Sequence, residues 1–214
     1  MSNKISVIGA GTMGSGIAQV AASNSCQVTI VDSFPQALES SQSKLKSILN
    51  RLVEKGKMNE DKTQHILANI NWTSETEEIA DSDLVIEAIV ENLEIKQKLF
   101  SQMESLVSED CILATNTSSL SVAGIASACN NQIRFVGIHF FNPVPLMKLV
   151  EVIPTEKTDE RLVKEVKSIL EGWGKTVVTA KDTPGFIVNR VARPFYGEAL
   201  KIFEDGIADF ATID

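Results

Sequence analysis

A histidine and a glutamate make residues 137–153 the stretch of this chain that most directly indicates a chemical function. His139, one of only two histidines, lies where a buried strand is expected to end, and Glu151 follows twelve residues later in an apolar strand. Pro143 and Pro145 mark a turn between them, which favours an antiparallel return that brings the two side chains together. Such a pair can perform general acid–base chemistry. The simpler alternatives are a core histidine and a water-facing edge-strand carboxylate.

A glycine-rich turn near the start of the chain indicates a second function. Gly9, Gly11 and Gly14 fit the pattern G-x-G-x-x-G, directly after a predicted strand and at the start of a predicted helix. Asp32 ends the next predicted strand, eighteen residues after Gly14. This context favours dinucleotide binding over a plain strand–helix turn. A carboxylate at position 32 can bond a ribose diol and would repel a 2′-phosphate, which favours NAD over NADP.

The elements that must position these residues alternate along the chain. Because strands separated by helices favour a parallel sheet covered on both faces, we predict an α/β fold with a doubly wound, mostly parallel sheet. The strand patterns cover 5–8, 27–31, 70–73, 84–89, 111–115, 134–139, 149–153 and 176–179. The helical patterns cover 12–22, 35–54, 59–68, 93–107, 160–171 and 186–205.

A boundary is predicted at residues 181–185, where Pro184 and Gly185 break regular structure. The helix that follows carries an apolar stripe, including Val191 and Phe195, that we expect to be exposed or buried against another copy. We therefore predict a nucleotide-binding domain over 1–182. Residues 183–214 are predicted to begin an all-α domain that is incomplete here.

Composition narrows the class of protein. The net charge of −8 argues against nucleic acid as a partner. Residues 5–31 carry no charge, but glycines and polar residues interrupt them, so we predict neither a membrane span nor a signal peptide. The cysteines, Cys26, Cys111 and Cys129, form no CxxC pair and are predicted to be buried thiols. We expect a cytoplasmic protein without a metal site.

Five motifs in order along the chain resemble those of the 3-hydroxyacyl-CoA dehydrogenase family. They are residues 7–14, 87–92, 116–120, 137–153 and 182–190. The resemblance implies a Rossmann-type domain that binds NAD, followed by the first long helix of an all-α C-terminal domain. It also implies an acyl-CoA substrate and a homodimer for the full-length protein. Residues 191–200, together with 206–209, are similar to bacterial members that act in short-chain or aromatic-acid catabolism.

The resemblance also implies catalytic roles for four residues. His139 would accept the substrate hydroxyl proton and Glu151 would orient the imidazole. Ser118 and Asn189 would bind substrate oxygens. The alternative for Ser118 is a helix cap, a role that Ser119 or Ser121 could serve equally well. The alternative for Asn189 is a solvated helix face.

Further matches concern the cofactor and the coenzyme A group. The predicted cofactor-binding residues are Gly9, Gly11, Thr12, Met13, Gly14, Asp32, Glu91, Lys96, Asn116 and Asn142. Glu91 and Lys96 also fit solvated positions at a helix start. Lys55, after the long helix 35–54, could meet coenzyme A phosphates or simply be an exposed charge.

Two rival functions remain open at this point. One is an NAD-binding module without catalysis. The other is a dehydrogenase of small free hydroxy acids, which would need a carboxylate-binding arginine in the cleft. None of Arg134, Arg190 and Arg193 lies in a predicted loop suited to that role.

Overall fold

The structure, a computed structural model, describes residues 4–214. Its eight strands are β1 (Lys4–Ile8), β2 (Gln27–Val31), β3 (Ile70–Thr73), β4 (Leu84–Glu87), β5 (Ile112–Thr115), β6 (Phe135–Phe140), β7 (Leu149–Pro154) and β8 (Thr176–Thr179). They form one sheet in the order β3-β2-β1-β4-β5-β6-β7-β8. All neighbouring strands are parallel except β6 and β7, which are antiparallel. The predicted doubly wound sheet with one antiparallel return is confirmed.

The helices are α1 (Thr12–Ser23), α2 (Pro35–Glu54), α3 (Glu60–Ala68), α4 (Leu93–Leu106), α5 (Val122–Ala126), α6 (Glu160–Gly172), α7 (Val188–Glu204) and α8 (Phe210–Ile213). Among residues 4–214, no helix is long and apolar enough to cross a membrane. Helix ends follow the predicted signals. The Asn59 side chain accepts from the Lys62 amide at 2.8 Å to cap α3, and Gly56 adopts a positive φ of 63° just beyond α2.

Two apolar clusters form the core, one on each face of the sheet. Leu84 and Ile86 belong to one cluster and Val85 to the other, because successive strand side chains point to opposite faces. The parallel strands are therefore apolar on both faces. β4 ends at the buried Glu87, two residues before its predicted end.

The cysteines are buried as predicted. Burial raises the pKa of Cys111 and of Cys129 to about 12, so both remain protonated, unreactive thiols near neutral pH.

Helix α7 begins within the motif at 182–190 and has no buried residue. Val191 and Phe195 are 72% and 77% exposed, so the structure leaves the predicted apolar stripe uncovered.

Candidate active site

The His139–Glu151 pair lies on the antiparallel strands β6 and β7, whose register places the two residues directly opposite each other. The His139 Nδ1 atom lies 2.7 Å from Oε2 of Glu151, and both side chains are buried. The carboxylate therefore fixes which ring nitrogen carries the proton and leaves Nε2 as the nitrogen available to a substrate. The second carboxylate oxygen, Oε1, accepts the amides of Ile187 and Val188 at 2.8 and 2.9 Å, at the start of α7.

Aromatic rings hold the imidazole from its sides. The ring of Phe141 lies 4.5 Å and that of Phe186 5.6 Å from the ring of His139, centroid to centroid. Phe186 has a positive φ of 45°, which is uncommon outside glycine. Sequence reasoning missed both rings, because nothing in their spacing shows that they converge on one histidine.

His139 lines a cavity of about 400 Å³ at the carboxyl ends of the parallel strands. In open α/β sheets this edge is where ligands bind. The cavity brings together six other residues that the sequence predicted for the site: Met13, Glu91, Asn116, Ser118, Asn142 and Asn189. Residues from distant parts of the chain thus share one space with the histidine.

Ser118 is placed by Glu91. The Glu91 carboxylate accepts the Ser118 amide at 2.7 Å and lies 3.2 Å from its hydroxyl. Ser121, not Ser118, caps α5 by accepting from the Gly124 amide at 3.0 Å, so the capping alternative for Ser118 does not hold. Asn189 donates to the Ser118 carbonyl at 3.3 Å, which links α7 to the loop after β5.

The pKa of Glu91 reflects two opposing causes. Partial burial raises it, but the Ser118 amide, the Lys96 ammonium and the Thr117 hydroxyl together hold it below its usual range. Glu91 is therefore a carboxylate at neutral pH.

Behind Glu91 lies a buried ion pair that sequence reasoning did not predict. The ammonium of Lys96 donates to the carboxylate of Glu87, and the two side chains are 1% and 0% exposed. Glu87 also accepts the Thr115 hydroxyl and the Ile89 amide, both at 2.7 Å. Lys96 lies 3.3 Å from Glu91 and does not line the cavity, so the structure places it behind the predicted cofactor site.

The two asparagines of the cavity have different environments. Asn116 accepts the Phe140 amide at 2.9 Å and so joins the ends of β5 and β6. Asn142 is exposed and also lines a second, larger cavity of about 520 Å³ between α1, α2 and the proline turn. The two cavities therefore adjoin at Asn142.

The three glycines of the turn have the distinct environments expected for nucleotide binding. Gly9 has a φ of 108°, which favours glycine. A Cβ on Gly14 would lie 1.9 Å from the Gly9 carbonyl oxygen, so only glycine lets α1 pack this closely. A Cβ on Gly11 would meet nothing within 4 Å, which leaves open space for a ligand there. Thr12, next along, is exposed.

Asp32 lies beside this turn. Its carboxylate accepts the Ala10 amide at 2.8 Å and the Phe34 amide at 3.0 Å. Each oxygen keeps a lone pair for a further donor, such as a ribose hydroxyl. The open space at Gly11, the free amides at the start of α1 and this carboxylate fit a dinucleotide.

Two basic residues differ in their position relative to the cavity. Lys55 is exposed at the end of α2 and does not line the cavity of His139. Arg193, for which no place in the cleft was expected, lines that cavity from α7 rather than from a loop. The prediction from the sequence concerned only arginines in loops, and helical periodicity is the signal that could have found Arg193, because it follows Asn189 by one turn.

A dinucleotide-binding turn and an acid–base pair on one edge of a Rossmann-type sheet define a nicotinamide-dependent dehydrogenase. Comparisons with known proteins agree. The family described as "3-hydroxyacyl-CoA dehydrogenase, NAD binding domain" matches residues 4–183, and "3-hydroxyacyl-CoA dehydrogenase, C-terminal domain" matches residues 185–214. The chain belongs to the 3-hydroxyacyl-CoA dehydrogenase family.

Individual relatives are similar over nearly the whole chain. A probable 3-hydroxyacyl-CoA dehydrogenase of Caenorhabditis elegans is 43% identical, covering 99% of this chain and 71% of the relative. A 3-hydroxyadipyl-CoA dehydrogenase of Escherichia coli is 42% identical, covering 98% of this chain and 44% of the relative. The crystal structure of (S)-3-hydroxybutyryl-CoA dehydrogenase from Ralstonia eutropha has a TM-score of 0.96 and 37% identity, covering 100% of this chain and 76% of that one.

Proposed function

We propose that this protein catalyses the reversible, NAD-dependent oxidation of (S)-3-hydroxyacyl-CoA to 3-oxoacyl-CoA. One observation carries the proposal: the cavity of His139 is also lined by Met13, from the helix that begins at the glycine-rich turn. A dinucleotide held at that turn can therefore extend into the space that the histidine faces.

The reaction needs a base for the hydroxyl proton and an acceptor for the hydride on the same carbon. Bound NAD supplies the hydride acceptor. Nε2 of His139 accepts the hydroxyl proton, and Glu151, 2.7 Å from Nδ1, stabilises the imidazolium that results. The hydroxyl of Ser118 and the amide of Asn189 hold the substrate oxygens, which fixes the reacting carbon relative to the imidazole.

Roles on the cofactor side follow from position. Gly9, Gly11, Thr12, Met13 and Gly14 would surround the pyrophosphate, and Asp32 would bind the adenosine ribose. Glu91, Asn116 and Asn142 line the part of the cavity that the nicotinamide would enter. Lys96 acts on the cofactor through Glu91, since its ammonium is buried behind that carboxylate.

The second cavity offers a route for the coenzyme A arm. It adjoins the catalytic cavity at Asn142 and runs along α2 as far as Leu52. Lys55 follows one helical turn later, where it can meet a phosphate at the far end of the substrate.

We further propose a domain boundary after residue 182, a homodimer and a cytoplasmic location. The two family matches, which meet between residues 183 and 185, support the boundary. The exposed apolar residues of α7, among them Val191 and Phe195, favour burial against a second copy. Light scattering after size-exclusion chromatography tests the dimer.

The experiment that tests the function compares His139→Gln with His65→Gln, the change at the other, exposed histidine. We expect His139→Gln to lower kcat for acetoacetyl-CoA reduction by orders of magnitude while the Kd for NADH changes little. His65→Gln should change neither value. Binding of NADH without turnover by the unmodified protein would favour the non-catalytic module. Turnover of free 3-hydroxybutyrate in preference to its CoA thioester would favour the hydroxy-acid alternative.

A further inference from the structure

Gln19 is a buried polar side chain within an apolar stretch of α1. The other residues from Ile17 to Ala22 are apolar and buried, and Gln19 itself is only 7% exposed. A leucine or a methionine would fill similar space without bringing a polar group into the interior. The packing of α1 therefore does not explain why a carboxamide occupies this position.

The carboxamide of Gln19 has no hydrogen-bond partner among residues 4–214. The serines near it differ in this respect, because the hydroxyls of Ser15 and Ser41 lie 2.8 Å apart and the indole of Trp72 donates to Ser41 at 3.4 Å. Buried polar groups in folded proteins nearly always have a partner, so each exception needs an explanation. The exception at Gln19 indicates a partner from outside the chain.

Gln19 lines the second cavity, the space of about 520 Å³ between α1, α2 and the proline turn. Much of the remaining wall is apolar and includes Leu45, Ile48, Val144 and Leu146. A carboxamide both donates and accepts hydrogen bonds. A partner that fits this cavity therefore combines apolar segments with a neutral group that can do the same.

We propose that Gln19 binds a secondary amide of the pantetheine arm of coenzyme A. The inference rests on the proposed function and adds the residue that recognises the arm. Two secondary amides interrupt the otherwise mostly apolar arm, and each offers one N–H and one carbonyl oxygen to a carboxamide. A phosphate or a carboxylate fits this place poorly, because burying a charge beside a neutral side chain is costly.

The place of Gln19 suits the middle of the arm. The proposed route begins where the two cavities adjoin at Asn142 and continues past Leu52 toward Lys55, and the amides lie between the thioester and the phosphates. Gln19 also lies seven residues after Thr12, about 10 Å along the axis of α1. The carboxamide is therefore well separated from the glycine-rich turn, where the cofactor pyrophosphate would bind.

The test measures the Kd of coenzyme A by calorimetry for the unmodified protein, Gln19→Met and Gln27→Met. Methionine is close to glutamine in length but has no amide, and Gln27 is an exposed glutamine on β2 that lines neither cavity. Gln19→Met should weaken binding by about threefold to tenfold, which corresponds to one neutral hydrogen bond. Gln27→Met should leave the Kd unchanged. Adenosine 3′,5′-bisphosphate, which lacks the arm, should bind equally well to Gln19→Met and to the unmodified protein.

Two further measurements separate binding from a purely structural role. In Gln19→Met the KM for acetoacetyl-CoA should rise by the same factor while kcat changes by less than about twofold, because Gln19 does not line the cavity of His139. The urea midpoint of Gln19→Met should stay the same or rise, because no group of the chain loses a hydrogen-bond partner.

The outcomes for the inference and for the proposed function can be distinguished. If Gln19→Met binds coenzyme A as tightly as the unmodified protein does, or if its urea midpoint falls and its affinity for the bisphosphate falls with it, the inference is overturned while the proposed function stands. If acetoacetyl-CoA is not reduced, the proposed function fails and the Kd values for coenzyme A decide the inference alone. An unmodified protein that does not bind coenzyme A overturns the inference as well.

Discussion

The Glu151 carboxylate binds His139 through one oxygen and the start of α7 through the other. Oε2 lies 2.7 Å from Nδ1 of the imidazole, and Oε1 accepts the amides of Ile187 and Val188. Since α7 also carries Asn189, one buried side chain sets the orientation of the proposed base and the position of a residue proposed to bind substrate. The acid–base pair is thus coupled to the helix that begins the C-terminal segment.

Glu151→Gln should therefore have two separable effects. We expect kcat to fall by up to about 10⁴, the loss seen when the carboxylate of a catalytic triad becomes an amide and the histidine adopts the wrong tautomer. Hydrogen exchange at the amides of Ile187 and Val188 should also become faster, because their bonds lose the charge of the acceptor. His139→Gln is the matched comparison, since it should lower kcat without changing exchange at these amides. Unchanged exchange in Glu151→Gln would show that the carboxylate does not hold α7.

Much of this arrangement could be predicted from the sequence, because it depends on local signals. Each of these signals can be recognised within one or two neighbouring elements. They are the glycine spacing, the alternation of strands and helices, and the proline turn between His139 and Glu151. The antiparallel register then follows from the length of the turn.

The parts that were missed depend on contacts between distant segments. Lys96 is charged and close to a helix start, which is typical of a solvated residue, yet Glu87 from β4 buries it. Arg193 could be assigned to a helix but not to a cavity, because the direction in which α7 leaves the sheet is set by Glu151. No pattern within α4 reports the contact of Lys96 with Glu87, and the helical spacing of Arg193 from Asn189 shows a shared face but not the cavity.

The buried pair formed by Glu87 and Lys96 gives a prediction about stability. Lys96→Met should cost about 3–5 kcal/mol of unfolding free energy, because it leaves a buried carboxylate without its counter-charge. The double variant Glu87→Gln/Lys96→Met should cost clearly less, since it removes both buried charges while Gln can keep a hydrogen bond to Thr115. Urea unfolding measures both, with Lys98→Met, exposed on the same helix, as the control. If the double variant loses as much unfolding free energy as Lys96→Met and Glu87→Gln lose together when measured separately, this account is contradicted.

The glycine-rich turn gives a prediction that separates folding from binding. Gly14→Ala should lower the unfolding free energy by about 1–3 kcal/mol, because its Cβ would lie 1.9 Å from the Gly9 carbonyl oxygen. Gly11→Ala should change stability by less than about 0.5 kcal/mol, because its Cβ meets nothing within 4 Å and its φ of −69° suits alanine.

Gly11→Ala should nevertheless weaken NADH binding at least tenfold, because the methyl group would occupy the space in which we propose that the pyrophosphate lies. Thermal unfolding and NADH titration of both variants check the contrast, and normal NADH affinity in Gly11→Ala would place the pyrophosphate elsewhere.

The lowered pKa of Glu91 gives a prediction about acid stability. A carboxyl group whose pKa is lower in the folded chain than in the unfolded chain stabilises the fold. This contribution is complete at pH values above the pKa of the unfolded chain, here 4.5, and it is lost as the pH falls through the pKa of the folded chain. Because 37% of the side chain is exposed, solvent screening limits this contribution to about 1 kcal/mol or less. Glu91→Gln should thus be less stable than the unmodified protein at pH 7, with the difference shrinking below pH 4.5. Urea unfolding between pH 3 and pH 7 measures it, and Glu94→Gln, at an exposed position one turn away, should show no such change. A difference for Glu91→Gln that stays constant across this range would mean that the Ser118 amide and Lys96 do not favour the charged carboxylate.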